Sequence, residues 1–250
     1  MKKLLCLLCL FLCACQTANP LKNMRFEQIN AGGYTLFSTY RIEQPGAPLK
    51  VYIEGDGHAF DARGVPTNDP TPTNTFMRSL AADDPSPNVV YLARPCQYIT
   101  SRACTQKDWT IGRFSPTLIH SMDMAVSAMM RKAQTQQVIL IGYSGGGMMA
   151  AQIAAAHPQS VKKLITIAGV LNHSQWTHYH GDAPLVESVD LSITPTFLQI
   201  PQVHYVGGRD LVVPAELTLN VLPPSVLFVV RKATHDSGFD GIYDDIWDER

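Results

Sequence analysis

The amino-acid sequence predicts an α/β fold, in which helices cover both faces of a mainly parallel β-sheet. Short apolar segments alternate along the chain with segments of helical periodicity, which is the pattern of strand–helix–strand units. The apolar segment 138–141 contains no polar residue, as expected for a strand that is buried on both faces. The chain has 250 residues, 46% hydrophobic and 16% charged, which suffices for one large core. We therefore expect a single domain.

The individual elements follow from local periodicity. Residues 34–42 alternate apolar and polar side chains like a half-buried strand. A helix is expected to begin near Pro116, because apolar residues follow it at steps of three and four. The predicted strands are 34–42, 49–53, 89–93, 138–141, 161–168, 203–206 and 227–230, and the predicted helices are 74–82, 147–156 and the segment after Pro116.

Three segments without clear periodicity are predicted to be loops or insertions. Residues 61–75 are rich in Pro, Thr, Asn and Asp and are expected to lead into a helix. The segment 94–115 is predicted to be a long loop that covers a site. Residues 171–194 lie between two predicted strands and indicate a cap insertion.

The N-terminus has the features of an export signal. Lys2 and Lys3 precede an apolar run at 4–12, which is too short for a permanent membrane-spanning helix. The sequence Leu12-Cys13-Ala14-Cys15 resembles the lipobox of bacterial lipoproteins, in which the last cysteine becomes the first residue and is lipidated. The resemblance implies a lipid anchor, such as palmitate, on Cys15.

This resemblance divides the chain into a signal peptide over 1–14, a tether over 15–23 and a folded domain over 24–250. The alternative is an ordinary signal peptide cut near Ala14 or Ala18. The residue after the anchor is Gln16. An Asp at this position would favour the inner membrane, so we expect a lipoprotein of the outer membrane that faces the periplasm or the cell surface.

Charge and cysteine content exclude several classes of function. The chain has 20 basic and 21 acidic residues and no basic cluster, so nucleic acid is not an expected partner. No group of Cys and His has the spacing of a metal site, and we expect no metal. Two cysteines, Cys96 and Cys104, remain outside the leader and its anchor. In an oxidising compartment they are candidates for a disulfide; two buried free thiols are the alternative.

The sequence Gly142-Tyr143-Ser144-Gly145-Gly146 carries the strongest catalytic signal. It follows a buried strand and leads into a helix, which is the context of a nucleophile elbow. Glycines on both sides allow strand and helix to approach closely around a strained serine. We therefore predict that Ser144 is a nucleophile.

The partners of such a serine follow it in the order acid, then histidine, each after a late strand. Asp210 follows the strand 203–206, and His235 follows the last strand. His235 would take the Ser144 proton, and Asp210 would orient the imidazole and stabilise its charged form. The competing histidines are His157, His173, His178, His180 and His204, and the competing acids are Asp182, Asp190 and Asp240.

Two backbone N–H groups are expected to form an oxyanion hole. One belongs to Gly145. The second is expected from Asp56, in the loop Glu54-Gly55-Asp56-Gly57. The Asp56 carboxylate would have to turn away toward a cation or loop amides. Tyr143, Trp109 and Arg113 are predicted to line the substrate pocket, together with the loop between Cys96 and Cys104.

These motifs together resemble the α/β-hydrolase superfamily over essentially the whole mature chain. The narrower resemblance is to little-characterised secreted hydrolases of Gram-negative bacteria. It is carried by Tyr52-Ile53-Glu54-Gly55-Asp56-Gly57, Arg94-Pro95-Cys96-Gln97-Tyr98, Trp109-Thr110 and Arg113-Phe114-Ser115. The resemblance implies a serine hydrolase that cleaves a carboxylic ester, or another small acyl substrate, through an acyl-serine intermediate and without a cofactor. An acyltransferase, a peptidase and a non-catalytic envelope lipoprotein remain alternatives.

Overall fold

One sheet of eight strands organises the part of the chain that the computed structural model describes, residues 23–248. The predicted leader and Cys15 lie outside these residues. The strands are β1 (Arg25–Ala31), β2 (Tyr34–Ile42), β3 (Leu49–Ile53), β4 (Asn88–Leu92), β5 (Val138–Tyr143), β6 (Val161–Ile167), β7 (Gln202–Gly207) and β8 (Leu227–Val230). Seven of them match the predicted strands to within three residues at each end.

The sheet is mainly parallel, as the sequence predicts. Its spatial order is β1-β2-β4-β3-β5-β6-β7-β8. The pairs from β4 to β8 are all parallel, whereas β2 runs antiparallel to both β1 and β4. Parallel strands place their carboxyl ends at the same edge, so the loops after β3, β5 and β7 converge there.

The edge strand β1 is not among the predicted strands, because most of its side chains are exposed and its apolar alternation is weak. Its pairing with β2 joins Ala31 to Tyr34 across the two residues Gly32 and Gly33. Both glycines have positive φ, at 55° and 88°. A two-residue turn with this backbone matches the twist of a hairpin, and glycine adopts it without a steric penalty.

Helices cover both faces of the sheet. They are α1 (Phe76–Asp83), α2 (Pro116–Lys132), α3 (Gly145–Ala156), α4 (His173–His180), α5 (Pro195–Leu198), α6 (Ala215–Leu219) and α7 (Tyr243–Trp247). On one face, Met122 of α2 and Met149 of α3 belong to one buried cluster. On the other face, Met77 of α1 and Ile246 of α7 belong to a second. Among the described residues, none of the helices combines the length and hydropathy needed to cross a bilayer.

A buried lysine attaches α7 to the centre of the sheet. Lys50 on β3 is fully buried, and its ammonium donates to the carbonyl oxygens of Ile246 at 3.1 Å and Trp247 at 2.8 Å. The ammonium also lies 3.3 Å from Oδ2 of Asp84, which accepts a hydrogen bond from the Tyr52 hydroxyl at 2.6 Å. A buried charge is tolerated only when it is paired and hydrogen-bonded, and this network meets both conditions.

Candidate active site

Ser144 occupies the sharp turn between β5 and α3. Its backbone has φ 50° and ψ −123°, a conformation that L-residues rarely adopt and that costs about 1–3 kcal/mol. Hydrogen bonds fix the turn on both sides: the Ser144 N–H donates to the Ile167 carbonyl at 3.0 Å, and the Ser144 carbonyl accepts from the Gly147 N–H at 2.9 Å. The surrounding sheet and helix therefore hold the strained residue in place.

Two glycines of the turn are required by close approach of other atoms. A Cβ on Gly142 would collide with the backbone of Gly146, and a Cβ on Gly145 would collide with the carboxylate of Asp56. The strand can therefore pass directly into the helix, and the loop after β3 can lie against the start of α3. As a result, the Gly145 N–H lies in the first turn of α3, where N–H groups have no partner within the helix.

Ser144, His235 and Asp210 form one chain of hydrogen bonds. The distance from His235 Nε2 to Ser144 Oγ is 3.0 Å, and the distance from His235 Nδ1 to Asp210 Oδ2 is 2.9 Å. Because the carboxylate accepts from Nδ1–H, the neutral imidazole has Nε2 free to accept the hydroxyl proton of Ser144. This geometry is what proton transfer from a serine requires.

The loop after β7 fixes the acid. Asp210 is buried, and its Oδ1 accepts the N–H groups of Val212 and Val213, both at 2.8 Å. The loops that carry the acid and the histidine are joined by the Arg209 N–H, which donates to the Ala233 carbonyl at 2.9 Å. The carboxylate can therefore restrain the imidazole ring.

Among the described residues, Ser144 Oγ is hydrogen-bonded to His235 and to none of the competing histidines or acids. His204 is buried on β7 against Thr166 Oγ1 at 2.8 Å, and burial lowers its pKa to about 3. His157 pairs with Asp123 at 2.9 Å where α3 has ended. His173 lies 3.6 Å from Asp190, and its backbone N–H donates to the same carboxylate.

Asp56 points its carboxylate at two buried arginines. Oδ2 lies 2.8 Å from Arg113 Nη1, and Oδ1 pairs with Arg94. Burial alone would raise the pKa of Asp56, but the Arg113 and Arg94 charges outweigh it and hold the pKa below its ordinary value. Among residues 23–248 the Asp56 N–H has no hydrogen-bond acceptor, so it is available to a bound oxygen.

Glu54 and Gln97 also support this loop, a role that the sequence does not reveal. The Glu54 carboxylate accepts from the Gly55 N–H at 2.9 Å and from the Tyr91 hydroxyl at 2.8 Å. Burial raises the Glu54 pKa, although these hydrogen bonds oppose the shift. Gln97 Nε2 donates to the Gly55 carbonyl at 2.9 Å. Both peptide groups of Gly55 are therefore held in one orientation by side chains.

Cys96 and Cys104 are joined by a disulfide. The sequence predicts that the bridged loop lines the substrate pocket, but none of residues 96–104 lines the catalytic cavity. The bridged loop lies behind the oxyanion loop, where its residue Gln97 contacts Gly55. Trp109 is also set back from the cavity, because its indole Nε1 donates to the Thr67 carbonyl at 3.0 Å and supports the loop before α1.

Ser144 and His235 open into a cavity of about 290 Å³. Tyr143 and Arg113 line it as the sequence predicts, and the Tyr143 ring lies 5.4 Å from that of His235. Other lining residues are brought together by the fold in a way that the sequence does not reveal: Phe60, Asn74, Phe114, Val170 and Val212 from loops, and Trp176 from α4. Both apolar and polar side chains thus line the cavity.

A cavity of about 450 Å³ beside His157 does not belong to this site. It lies where α3 ends, whereas Ser144 lies where α3 begins. With 12 residues the helix is about 18 Å long, so a group in that cavity cannot reach the Ser144 hydroxyl. Within the described residues, no cluster of three His, Cys, Asp or Glu side chains could hold a metal ion.

The sequence belongs to the family of proteins with the α/β-hydrolase fold. The model of that family matches residues 54–186, more than half of the chain, and spans Asp56 and Ser144. The match ends before Asp210 and His235.

Among curated proteins, homoserine O-acetyltransferase of Thermus thermophilus is 33% identical over 63 residues. That match covers 25% of this chain and 17% of the acetyltransferase, so it spans less than a fifth of the relative's length.

Solved structures share the fold over most of the chain. Est1E from Butyrivibrio proteoclasticus has a TM-score of 0.60 at 14% identity, covering 89% of this chain and 94% of its own. A putative aryl esterase from Burkholderia cenocepacia has the same TM-score and identity, covering 89% and 97%. A serine hydrolase without a lid from Xanthomonas campestris has a TM-score of 0.54 at 14% identity, covering 90% of each chain.

Proposed function

We propose that the protein is a serine hydrolase that cleaves small carboxylic esters through an acyl-Ser144 intermediate. The observation that carries the proposal is the hydrogen-bonded chain from Asp210 through His235 to Ser144, at a strained turn that opens into a cavity. A serine hydroxyl is a weak nucleophile by itself, and an adjacent base that is oriented by a third group activates it.

In the first step, Oγ of Ser144 forms a bond to the ester carbonyl carbon while His235 Nε2 takes the hydroxyl proton. The carbonyl oxygen becomes an oxyanion, which accepts from the N–H groups of Gly145 and Asp56. The tetrahedral intermediate then collapses, and His235 gives its proton to the departing alcohol. Attack of water on the acyl-serine, with His235 again as base, releases the carboxylic acid and restores Ser144.

The charges around the oxyanion loop support this role. Arg94 and Arg113 carry two positive charges against the one negative charge of Asp56. This cluster of three side chains therefore has an excess of positive charge beside the N–H groups that would face the oxyanion. Fixed charges of this kind lower the barrier because they need no reorganisation during the step.

The test compares Ser144→Ala with Ser127→Ala. Ser127 lies on α2 beside the distant cavity, so its loss should leave activity unchanged. We expect purified protein to hydrolyse p-nitrophenyl acetate and to react covalently with a fluorophosphonate probe, and Ser144→Ala to lose both properties while unfolding at the same temperature. Equal activity of the two variants would refute the assignment of Ser144.

Acyl transfer is a second candidate, favoured by the match to homoserine O-acetyltransferase. The two reactions share the acyl-serine and differ in whether water or an alcohol attacks it. Adding homoserine to the acetate assay separates them: O-acetylhomoserine formed faster than free acetate would establish transfer.

We further propose that the chain is exported and held at the outer membrane by lipid on Cys15. The proposal rests on the resemblance of Leu12-Cys13-Ala14-Cys15 to a lipobox. Export would also supply the oxidising compartment in which the disulfide between Cys96 and Cys104 forms.

A further inference from the structure

A second cavity adjoins the catalytic one. Its volume is about 520 Å³, and it lies between the loop after β3 and the segment that follows α4. The side chains that face it are mostly apolar, namely Phe60, Pro66, Ile111, Trp176, Ala183 and Leu185. The carboxylate of Asp182 lies among the remaining lining residues and is exposed to solvent. Apolar side chains therefore supply most of the cavity wall, and Thr110, Arg113 and Thr177 are buried polar residues within it.

Three side chains are shared by the two cavities: Phe60, Arg113 and Trp176. The Arg113 guanidinium carbon lies 5.1 Å from the centre of the Phe60 ring and 5.9 Å from that of the Trp176 ring. The two cavities are therefore adjacent, and these three side chains form a boundary between them.

The shared side chains form a fixed boundary. Arg113 is held by Asp56 at 2.8 Å and by the Thr110 carbonyl, to which its Nε donates at 2.8 Å. Trp176 is held by its indole N–H, which donates to the Val212 carbonyl at 2.7 Å. Arg113 shares the Asp56 carboxylate with Arg94, and the boundary offers the second cavity aromatic faces and a flat guanidinium. An apolar chain makes favourable contacts with the aromatic rings, and its transfer out of water lowers the free energy.

We propose that the second cavity binds an apolar group of the substrate, so that the preferred substrates are esters with a medium-length alkyl chain. The inference rests on the proposed function and extends it to a substrate class. The alkyl chain belongs either to the acyl group or to the alcohol, since both sources present the same chemistry to the cavity.

The experiment compares wild type with Ala183→Trp. Ala183 is exposed and lines only the second cavity, so an indole there fills that cavity and leaves the Ser144 cavity unchanged. Ala103→Trp is the matched control, because Ala103 is an exposed loop alanine outside both cavities. One series varies the acyl chain of p-nitrophenyl esters from two to eight carbons, and the other varies the alcohol of alkyl acetates.

Burial of a methylene favours binding about fourfold. We expect kcat/KM of the wild type and of Ala103→Trp to rise at least roughly tenfold from the shortest to the longest chain in one series. Ala183→Trp should abolish this rise and keep the rate on the shortest ester. Rates that are independent of chain length in both series, or the same preference in Ala183→Trp, would overturn the inference.

A binding measurement separates this inference from the proposed catalytic function. The inactive variant Ser144→Ala allows binding to be measured without turnover. Calorimetry should show that methyl octanoate binds at least roughly tenfold more tightly than methyl butyrate, or that octyl acetate binds at least roughly tenfold more tightly than butyl acetate, according to which side of the ester carries the chain. Adding Ala183→Trp should remove the difference. Equal affinities within both pairs would refute the apolar subsite even if the enzyme proves active, and a large difference in one pair would support it even if Ser144 proves not to be a nucleophile.

Discussion

Replacement of Asp56 by Asn tests whether its carboxylate holds the oxyanion loop in place. Asparagine preserves the size of the side chain and the backbone N–H, so the variant removes only a negative charge. The Asp56 side chain is 23% exposed, whereas those of Arg94 and Arg113 are 5% and 6% exposed. Two nearly buried positive charges therefore lose their counterion.

Removal of one partner from a buried ion pair costs about 3–5 kcal/mol, whereas a surface pair contributes roughly 0–1 kcal/mol. Because Asp56 keeps partial contact with water, we expect the free energy of unfolding to decrease by about 2–3 kcal/mol. Complete loss of one oxyanion donor lowers kcat by about 10²–10³. A displaced donor should lower it by roughly 10–100-fold, with a smaller change in KM because the cavity walls remain.

Urea unfolding and steady-state kinetics on p-nitrophenyl acetate measure both effects. Asp123→Asn is the matched control, since Asp123 is 24% exposed and pairs with His157 at the far end of α3. It should change stability by less than about 1 kcal/mol and leave kcat unchanged. If Asp56→Asn loses stability but keeps the kcat of the control, the carboxylate supports the fold and not the reaction.

Four further predictions concern other parts of the chain. Burial lowers the pKa of His204 to about 3, so below its unfolded value of about 6.5 the unfolded state binds a proton that the folded state does not. The free energy of unfolding should therefore fall by about 1.4 kcal/mol per pH unit from pH 6 to 4. Urea unfolding at several pH values should show that the free energy of unfolding of His204→Gln falls less steeply with pH; an equal fall in both proteins would contradict this. Asp210→Asn should lower kcat by about 10⁴ with normal circular dichroism, because the imidazole loses its orienting acceptor; a loss under tenfold would exclude Asp210 as the acid. Replacing Cys96 and Cys104 together by Ser should lower the free energy of unfolding by about 2.5 kcal/mol. It should change kcat more than KM, because Gln97 in the bridged loop supports Gly55 of the oxyanion loop. A change in KM alone would indicate instead that the bridged loop lines the substrate pocket. Cys15→Ser should move the protein from the membrane to the soluble fraction after a high-salt wash, and equal retention would disprove the anchor.

The sheet was largely predictable because its central strands β3, β4 and β5 are mainly apolar segments that are buried on both faces, and β2 alternates apolar and polar residues. The strand β1 was missed, since its side chains are mostly exposed and edge strands need little apolar content. Gly32 and Gly33 were the available signal, because two glycines between potential strands favour a tight hairpin.

Some residues of the candidate site could likewise be predicted from the sequence and others could not. Ser144, Asp210 and His235 each stand in a recognisable local context, so they could be singled out. Gln97 and Trp176 act through contacts with Gly55 and Val212, which are 42 and 36 residues away in sequence. No local pattern encodes such pairs, because the side chains meet only when the loops at the sheet edge pack together.

The lysine at the centre of the sheet has a consequence for the order of folding. The ammonium of Lys50 finds its carbonyl acceptors 196 and 197 residues further along the chain. Before α7 arrives, closing the core around Lys50 would strip water from a charge that lacks those acceptors. We therefore expect the central strands to reach their final packing only when α7 docks, and contacts of such long sequence separation form slowly. A nascent chain would thus remain incompletely folded until α7 has been synthesised.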